Sequence, residues 1–191
     1  ITRTLNEDGT FSLPEMALIE QEIAEHKPGA LLVIPYDNPT GQLYDYKMLK
    51  DLAALCVKYN LWMVSDEAYR ELYYEPGKPL VSIWGITDQD VPGIEGRRMS
   101  IETASKVWNA CGLRIGALVT DNADFHKKSI AEYTANLCAN VLGQYIFGAL
   151  ANESQSELTD WVSGLRNYYK KQILNVYHGL KELEPKLILS S

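Results

Sequence analysis

Ala30-Leu31-Leu32-Val33-Ile34, the turn Asp37-Asn38-Pro39-Thr40-Gly41, and Leu61-Trp62-Met63-Val64-Ser65-Asp66 decide the fold of this chain. Both outer segments are short runs of apolar residues without polar alternation, the pattern of a strand covered on both faces. Between them Leu49, Leu52, Ala53 and Cys56 fall at i, i+3, i+4 and i+7, so one helical face is apolar, and Asp45 is suited to cap that helix. Strand, turn, helix and strand in this order make a βαβ unit. Its strands must be parallel and its crossover right-handed.

Upstream, Pro14 to His26 carries Met16, Ile19, Ile23 and Ala24 at helical spacing, with Pro14 fitted to a first turn and Lys27-Pro28-Gly29 closing the helix. Downstream, Glu75 to Gly96 is rich in Pro, Gly and Asp and reads as an irregular excursion. Arg98–Thr103 and Ile115–Thr120 read as two more strands. The loop between them is too short for a crossover helix, which admits one antiparallel pair. Asp121 is expected to cap a helix running to Asn136, and a further helix follows from about Asn140 to Ala151.

Ser154-x-x-Glu157 is a capping box. Beyond it Trp161, Leu165, Tyr169, Ile173, Val176, Leu180 and Leu183 hold one stripe until Pro185. A helix of that length exceeds what one small core needs, and such helices bridge domains. The expected fold is therefore α/β: a three-layer sandwich, a mainly parallel sheet with helices on both faces, then a long interdomain helix. Residues 1–152 belong to the first domain. Residues 153–191 hold the helix and the start of a smaller one, with Leu187–Ser191 as a strand just beginning. With Ile1 rather than Met at the front, the chain reads as a piece of something longer.

The 191 residues include 18 Lys and Arg against 25 Asp and Glu, a net charge of −7, with 46% hydrophobic and 23% charged residues. That composition excludes a disordered chain. The acidic balance argues against nucleic acid, because phosphate contacts need surplus Lys and Arg. No apolar run approaches the roughly 20 residues of a membrane helix, and no secretory signal opens the chain. Cys56, Cys111 and Cys138 stand far apart with no CxxC, so neither a metal site nor a disulfide framework is indicated and a reducing, cytoplasmic setting follows.

Taken singly, the candidate functional residues are weak signals: an Asn-Pro-Thr-Gly turn, an acidic pair, a lysine, an arginine. Their placement is stronger. Asn38 lies past the carboxyl end of the first strand, and Asp66 and Tyr69 past the second. Thr103, Ser105 and Lys106 follow the third, and Arg114 precedes the fourth. Ligands of open α/β sheets bind in the crevice at those ends.

Asn38-Pro39-Thr40-Gly41, Ser65-Asp66-Glu67-Ala68-Tyr69, and Thr103-Ala104-Ser105-Lys106 with Gly112-x-Arg114-x-Gly116 resemble the class I/II aminotransferases, the aspartate aminotransferase-like group of pyridoxal-phosphate (PLP) enzymes of fold type I. The resemblance covers nearly the whole chain and implies a role for each residue. Lys106 would form a Schiff base with the cofactor and carry the substrate proton. Asp66 would pair with the pyridine nitrogen, while Tyr69 and Asn38 would donate to the phenolic oxygen. Thr103, Ser105 and Arg114 would hold the phosphate. An amino acid and a 2-oxo acid would be the substrates, possibly including aspartate, and the full-length protein would be a homodimer whose sites borrow residues from a second subunit.

The sequence departs from the family pattern in places. Thr103 stands where many members carry Ser, which keeps the hydroxyl. Cys111 reads as a small buried thiol and Trp108 as packing or partner contact. His26, His126 and His178 sit on helix surfaces without a role. The family's substrate-carboxylate arginine has no counterpart here, Arg166 being on the long helix, so the segment alone is expected to be inactive. Two other readings share the motifs: a PLP-dependent C–S lyase, and a non-catalytic PLP-sensing regulator domain. The substrate-reading residues lie outside the segment.

Overall fold

The structure, a computed structural model, describes residues 2–13, 15–74, 77 and 79–183. A two-residue hairpin, β1 (Thr4–Leu5) and β2 (Phe11–Ser12), precedes α1 (Met16–His26). Glu15 occupies the N-cap of α1, and Pro14 lies outside the described residues. Lys27, in the left-handed conformation, ends the helix by donating its amide to the Ile23 carbonyl. Strand β3 (Ala30–Val33), helix α2 (Tyr46–Lys58) and strand β4 (Trp62–Asp66) form the expected βαβ unit. The Asp45 carboxylate caps α2, accepting from the Met48 amide at 2.7 Å.

Strands β5 (Arg98–Thr103) and β6 (Gly116–Thr120) complete a four-stranded sheet of order β3-β4-β5-β6. The first two pairings are parallel, aligning Val33 with Ser65 and Asp66 with Ile101. The third is antiparallel and sets Thr103 opposite Gly116. A Cβ at Gly116 would come within 2.7 Å of the Glu102 carbonyl oxygen, so only glycine allows this close pairing at the strand end.

Side chains alternate across the sheet. Met63 and Ser65 face a core built from Ile19 and Ile23 of α1 and Leu49, Leu52, Ala53 and Cys56 of α2. Asp66, Ile101 and Leu118 share the other face. There α3 (Ala123–Ala135) lies against β6, and Phe125 meets the Trp62 ring at 5.3 Å. Helices thus pack on both faces, but Leu32 remains 60% exposed on the second. The uninterrupted apolar run predicts cover on both sides; the described residues supply it fully on one.

Three local expectations are corrected. Asn122, not Asp121, caps α3, accepting from the Phe125 amide at 2.8 Å. Asp121 is instead held by the Arg98 guanidinium, at 2.7 Å from Nε and 2.5 Å from Nη2, and a charged fork outcompetes a backbone amide for the carboxylate. The stretch from Val81 to Ile94 is no loose excursion. Val81, Ile83, Ile86 and Ile94 anchor it in the core at wide spacing, which composition alone conceals. Cys111 is exposed, because the loop between β5 and β6 stands on the protein surface; Cys56 is the buried thiol.

Helix α4 (Val141–Gly148) is capped by Asn140, and a single tighter turn carries the chain to Asn152. Helix α5 (Gln155–Lys181) opens on the expected capping box of Ser154 and Glu157 and runs for about 40 Å. Of its stripe Leu165 is buried, whereas Trp161, Ile173, Val176 and Leu183 are at least half exposed. Pro185 and Leu187–Ser191, read as a stop and a strand, lie outside the described residues. No described helix is long and apolar enough to cross a membrane.

Candidate active site

The loop after β3 is folded by backbone bonds from Asp37 N to the Gln42 carbonyl and from Gly41 N to the Asp37 carbonyl, both 2.9 Å. The Asp37 carboxylate accepts from the Thr40 hydroxyl and pairs with Arg3 at 3.0 Å. Gly41 takes a φ of 71°, the Asn38–Pro39 peptide is cis, and the Asn38 side chain is left exposed. Its Nδ2 reaches Tyr69 Oη at 3.4 Å. Tyr69 belongs to the loop after β4, so the two parallel strand ends meet through this pair.

Asp66, the last residue of β4, is half-buried, and its Oδ1 accepts from the Ala68 amide at 3.0 Å. That bond turns the chain so that Tyr69 swings back over the sheet edge. Lys106, exposed beyond β5, brings its Nζ to 5.3 Å from the Tyr69 ring centre. An ammonium over a phenol face is an attractive contact. Asn38, Tyr69 and Lys106 are therefore one cluster drawn from three strand ends.

A second cluster adjoins it. Thr103 Oγ1 donates to Ser105 Oγ at 2.9 Å and accepts from the Ser105 amide at 3.1 Å. Arg114 has a left-handed backbone, φ 53°, and its Nη1 donates to the Cys111 carbonyl at 3.1 Å. Asn140 steadies the same loop through a 2.7 Å bond to the Leu113 carbonyl. Thr103, Ser105 and Arg114 line one cavity of about 360 Å³, together with Ile101, the sheet partner of Asp66, and Leu118, which pairs with Ile101 in turn. Two hydroxyls and a guanidinium suit a compact dianion. Asp66 lines neither this cavity nor the one beside Asn38 and Tyr69, and its described hydrogen bond is the one from the Ala68 amide.

Two residues of the site region escaped the sequence reading. Glu67 looks like half of a solvated acidic pair, yet it is buried. Its Oε1 accepts from the Ser65 and Ser82 hydroxyls, both at 3.0 Å, and from the Ile83 amide at 3.2 Å. Arg70 donates through Nη1 to Glu67 Oε2 at 3.1 Å and to Glu102 Oε1 at 2.9 Å. The alternation of β4 carries a signal for Glu67, since continuing it turns residue 67 toward the core side. Arg70 had none.

The sheet and its flanking helices have the architecture of the PLP-transferase fold of type I. A family model, aminotransferase class I and II, matches residues 10–190, and the chain belongs to that family. It is 28% identical over 90% of its length to LL-diaminopimelate aminotransferase 2 of Nostoc sp. and 29% identical over 91% to 2-aminoadipate transaminase of Thermus thermophilus. It spans 41% and 42% of those proteins, so about two fifths of their length. Among solved structures, N-succinyldiaminopimelate aminotransferase from Mycobacterium tuberculosis superposes with a TM-score of 0.77 at 22% identity, over 95% of this chain and 44% of the other. A PLP-bound C–S lyase from Staphylococcus hominis gives 0.75 at 15%, over 94% and 42%. Both likenesses are of fold.

Proposed function

We propose that the complete protein is a PLP-dependent aminotransferase that moves an amino group from an amino acid to a 2-oxo acid, and that this segment alone is inactive. The observation that carries the reading is the Lys106–Tyr69–Asn38 cluster beside the Thr103–Ser105–Arg114 cavity. The donor set fits the cofactor: a dianion holder, donors for a phenolate, a carboxylate and a free primary amine. When bound, PLP supplies an aldehyde that captures amines and a ring that accepts the electrons left by proton loss.

The residues of this chain do the rest. Lys106 would supply the amine that holds the cofactor covalently, with water leaving, and, freed by the incoming amino acid, its Nζ would carry the proton between the substrate α-carbon and the cofactor. Asp66 holds a proton on the ring nitrogen. The Tyr69 hydroxyl and Asn38 amide donate to the phenolic oxygen and keep it ionised. Thr103, Ser105 and Arg114 bind the phosphate through charge-assisted bonds.

We infer the same division as the sequence suggests: residues 1–152 as part of the large domain, and 153–191 as the interdomain helix with the start of the small one. A homodimer in the cytoplasm completes the reading. The homodimer is supported by the exposed apolar side chains of α4, where Val141, Leu142 and Tyr145 are 69–83% exposed. The second reading, a C–S lyase, uses the same fold, as the likeness to the Staphylococcus hominis enzyme illustrates.

The deciding experiment supplies the complete protein and PLP with an amino-acid panel that includes aspartate, and separately with cystathionine. Amino transfer to a 2-oxo acid is expected. Pyruvate release from cystathionine without transfer selects the lyase, and PLP binding with neither reaction selects a sensor.

A further inference from the structure

Tyr69 is held loosely through its own side chain: a 3.4 Å contact to Asn38 and a ring face beneath Lys106. Its backbone is held tightly. The Leu72 amide donates to the Tyr69 carbonyl at 2.8 Å, the Arg70 amide to the Glu67 carbonyl at 3.0 Å, and the Glu67 amide to the Ile101 carbonyl of β5 at 3.1 Å. The turn carrying Tyr69 is thus built on Glu67 and on β5.

One guanidinium nitrogen closes this turn. Arg70 Nη1 bridges Glu67, the residue after Asp66, and Glu102, the residue before Thr103. The Glu67 side chain is 0% exposed, and Arg70 is its ion-pair partner. Glu102 also accepts from the Ser100 hydroxyl at 2.8 Å, and Ser100 in turn accepts from Trp84 Nε1 at 3.0 Å. A buried carboxylate stripped of its partner is costly, and a lysine's flexible stem does not fix its nitrogen between two carboxylates as the planar guanidinium fixes Nη1.

We propose that Arg70 is a positioning residue: by clamping the β4 and β5 ends together it sets the Tyr69 hydroxyl where the cofactor's phenolic oxygen is to lie. The proposal rests on the cofactor reading above and adds a residue to it. Arg70 acts through Tyr69, so its effect must disappear when the hydroxyl is absent.

The test is a two-by-two set in the complete, PLP-loaded protein: wild type, Arg70→Lys, Tyr69→Phe and the double variant, each titrated for the pH midpoint of the cofactor's visible absorbance. Loss of a donor to an anionic oxygen moves that midpoint upward, by about 1–2 units for Tyr69→Phe. Arg70→Lys is expected to move it part of the way in the same direction, with the double variant matching Tyr69→Phe alone. An unmoved midpoint in Arg70→Lys, or an equal added shift in both backgrounds, overturns the proposal. If Arg70→Lys does not fold, Glu102→Ala takes its place, because it removes the acceptor at one end of the same bridge while leaving Glu67 paired. A wild type that takes up no PLP defeats the cofactor reading instead. The positioning role is then judged by a crystal structure of the variant, which is expected to separate Asn38 Nδ2 from Tyr69 Oη beyond hydrogen-bond reach, an unmoved pair overturning it.

Discussion

Lys106 Nζ stands 5.3 Å from the ring centre of Tyr69, across two strand ends that neighbour each other in the sheet. Parallel pairing of β4 with β5 makes the meeting inevitable. It aligns Asp66 with Ile101, and the next residues of each chain must leave the sheet at the same edge. The amine and the phenol thereby share one crevice.

Replacing that amine should be the most damaging single change. Lys106→Ala in the complete protein is expected to remove covalent PLP attachment and lower turnover by several orders of magnitude, since one group both captures the cofactor and moves the proton. Stopped turnover assays and the visible spectrum together check it, and wild-type activity in the variant would sink the assignment.

Arg114→Ala should act on affinity more than on chemistry. Charge-assisted bonds contribute about 1.5–3 kcal/mol, which corresponds to roughly ten- to a hundred-fold weaker PLP binding. Equilibrium titration of the apoprotein measures it. At saturating PLP the expected kcat is close to wild type.

The three thiols should separate by access. Cys111 and Cys138 are exposed and should react with a thiol reagent at once, while Cys56 should react on unfolding. Burial pushes the Cys56 thiol up to about 12 and the Tyr36 phenol likewise to about 12. Raised folded values mean that the unfolded groups lose protons first. Their stabilising contribution is whole below the ordinary thiol range and falls as pH rises toward about 12. Urea midpoints taken from pH 7 upward should decline above about pH 9, and Cys56→Ala should flatten part of that decline.

Leu49 is fully buried at the centre of the α2 face. Leu49→Ala is expected to cost about 2–5 kcal/mol through lost burial and the cavity left behind. Chemical denaturation reads the change, and a loss under 1 kcal/mol would place the core elsewhere.

The sequence alone determined the βαβ unit, the caps at Asp45 and Ser154, and the strand-end placement of Asn38, Asp66, Thr103, Ser105, Lys106 and Arg114. These follow from local periodicity and from short-range hydrogen bonds, whose partners lie within a few residues. The choice of Asn122 over Asp121 did not, because Asp121 answers to Arg98 across the sheet. Nor did the burial of Val81, Ile83, Ile86 and Ile94, whose wide spacing follows neither a helical nor a strand period. Glu67 and Arg70 show the limit most clearly. Beside Asp66 in the chain they resemble solvated charges, and only the closing of β4 on β5 brings Glu102 to the other side of the same guanidinium. A charge pairs with whatever the fold places within about 3 Å of it, and that distance is a property of tertiary structure rather than of sequence.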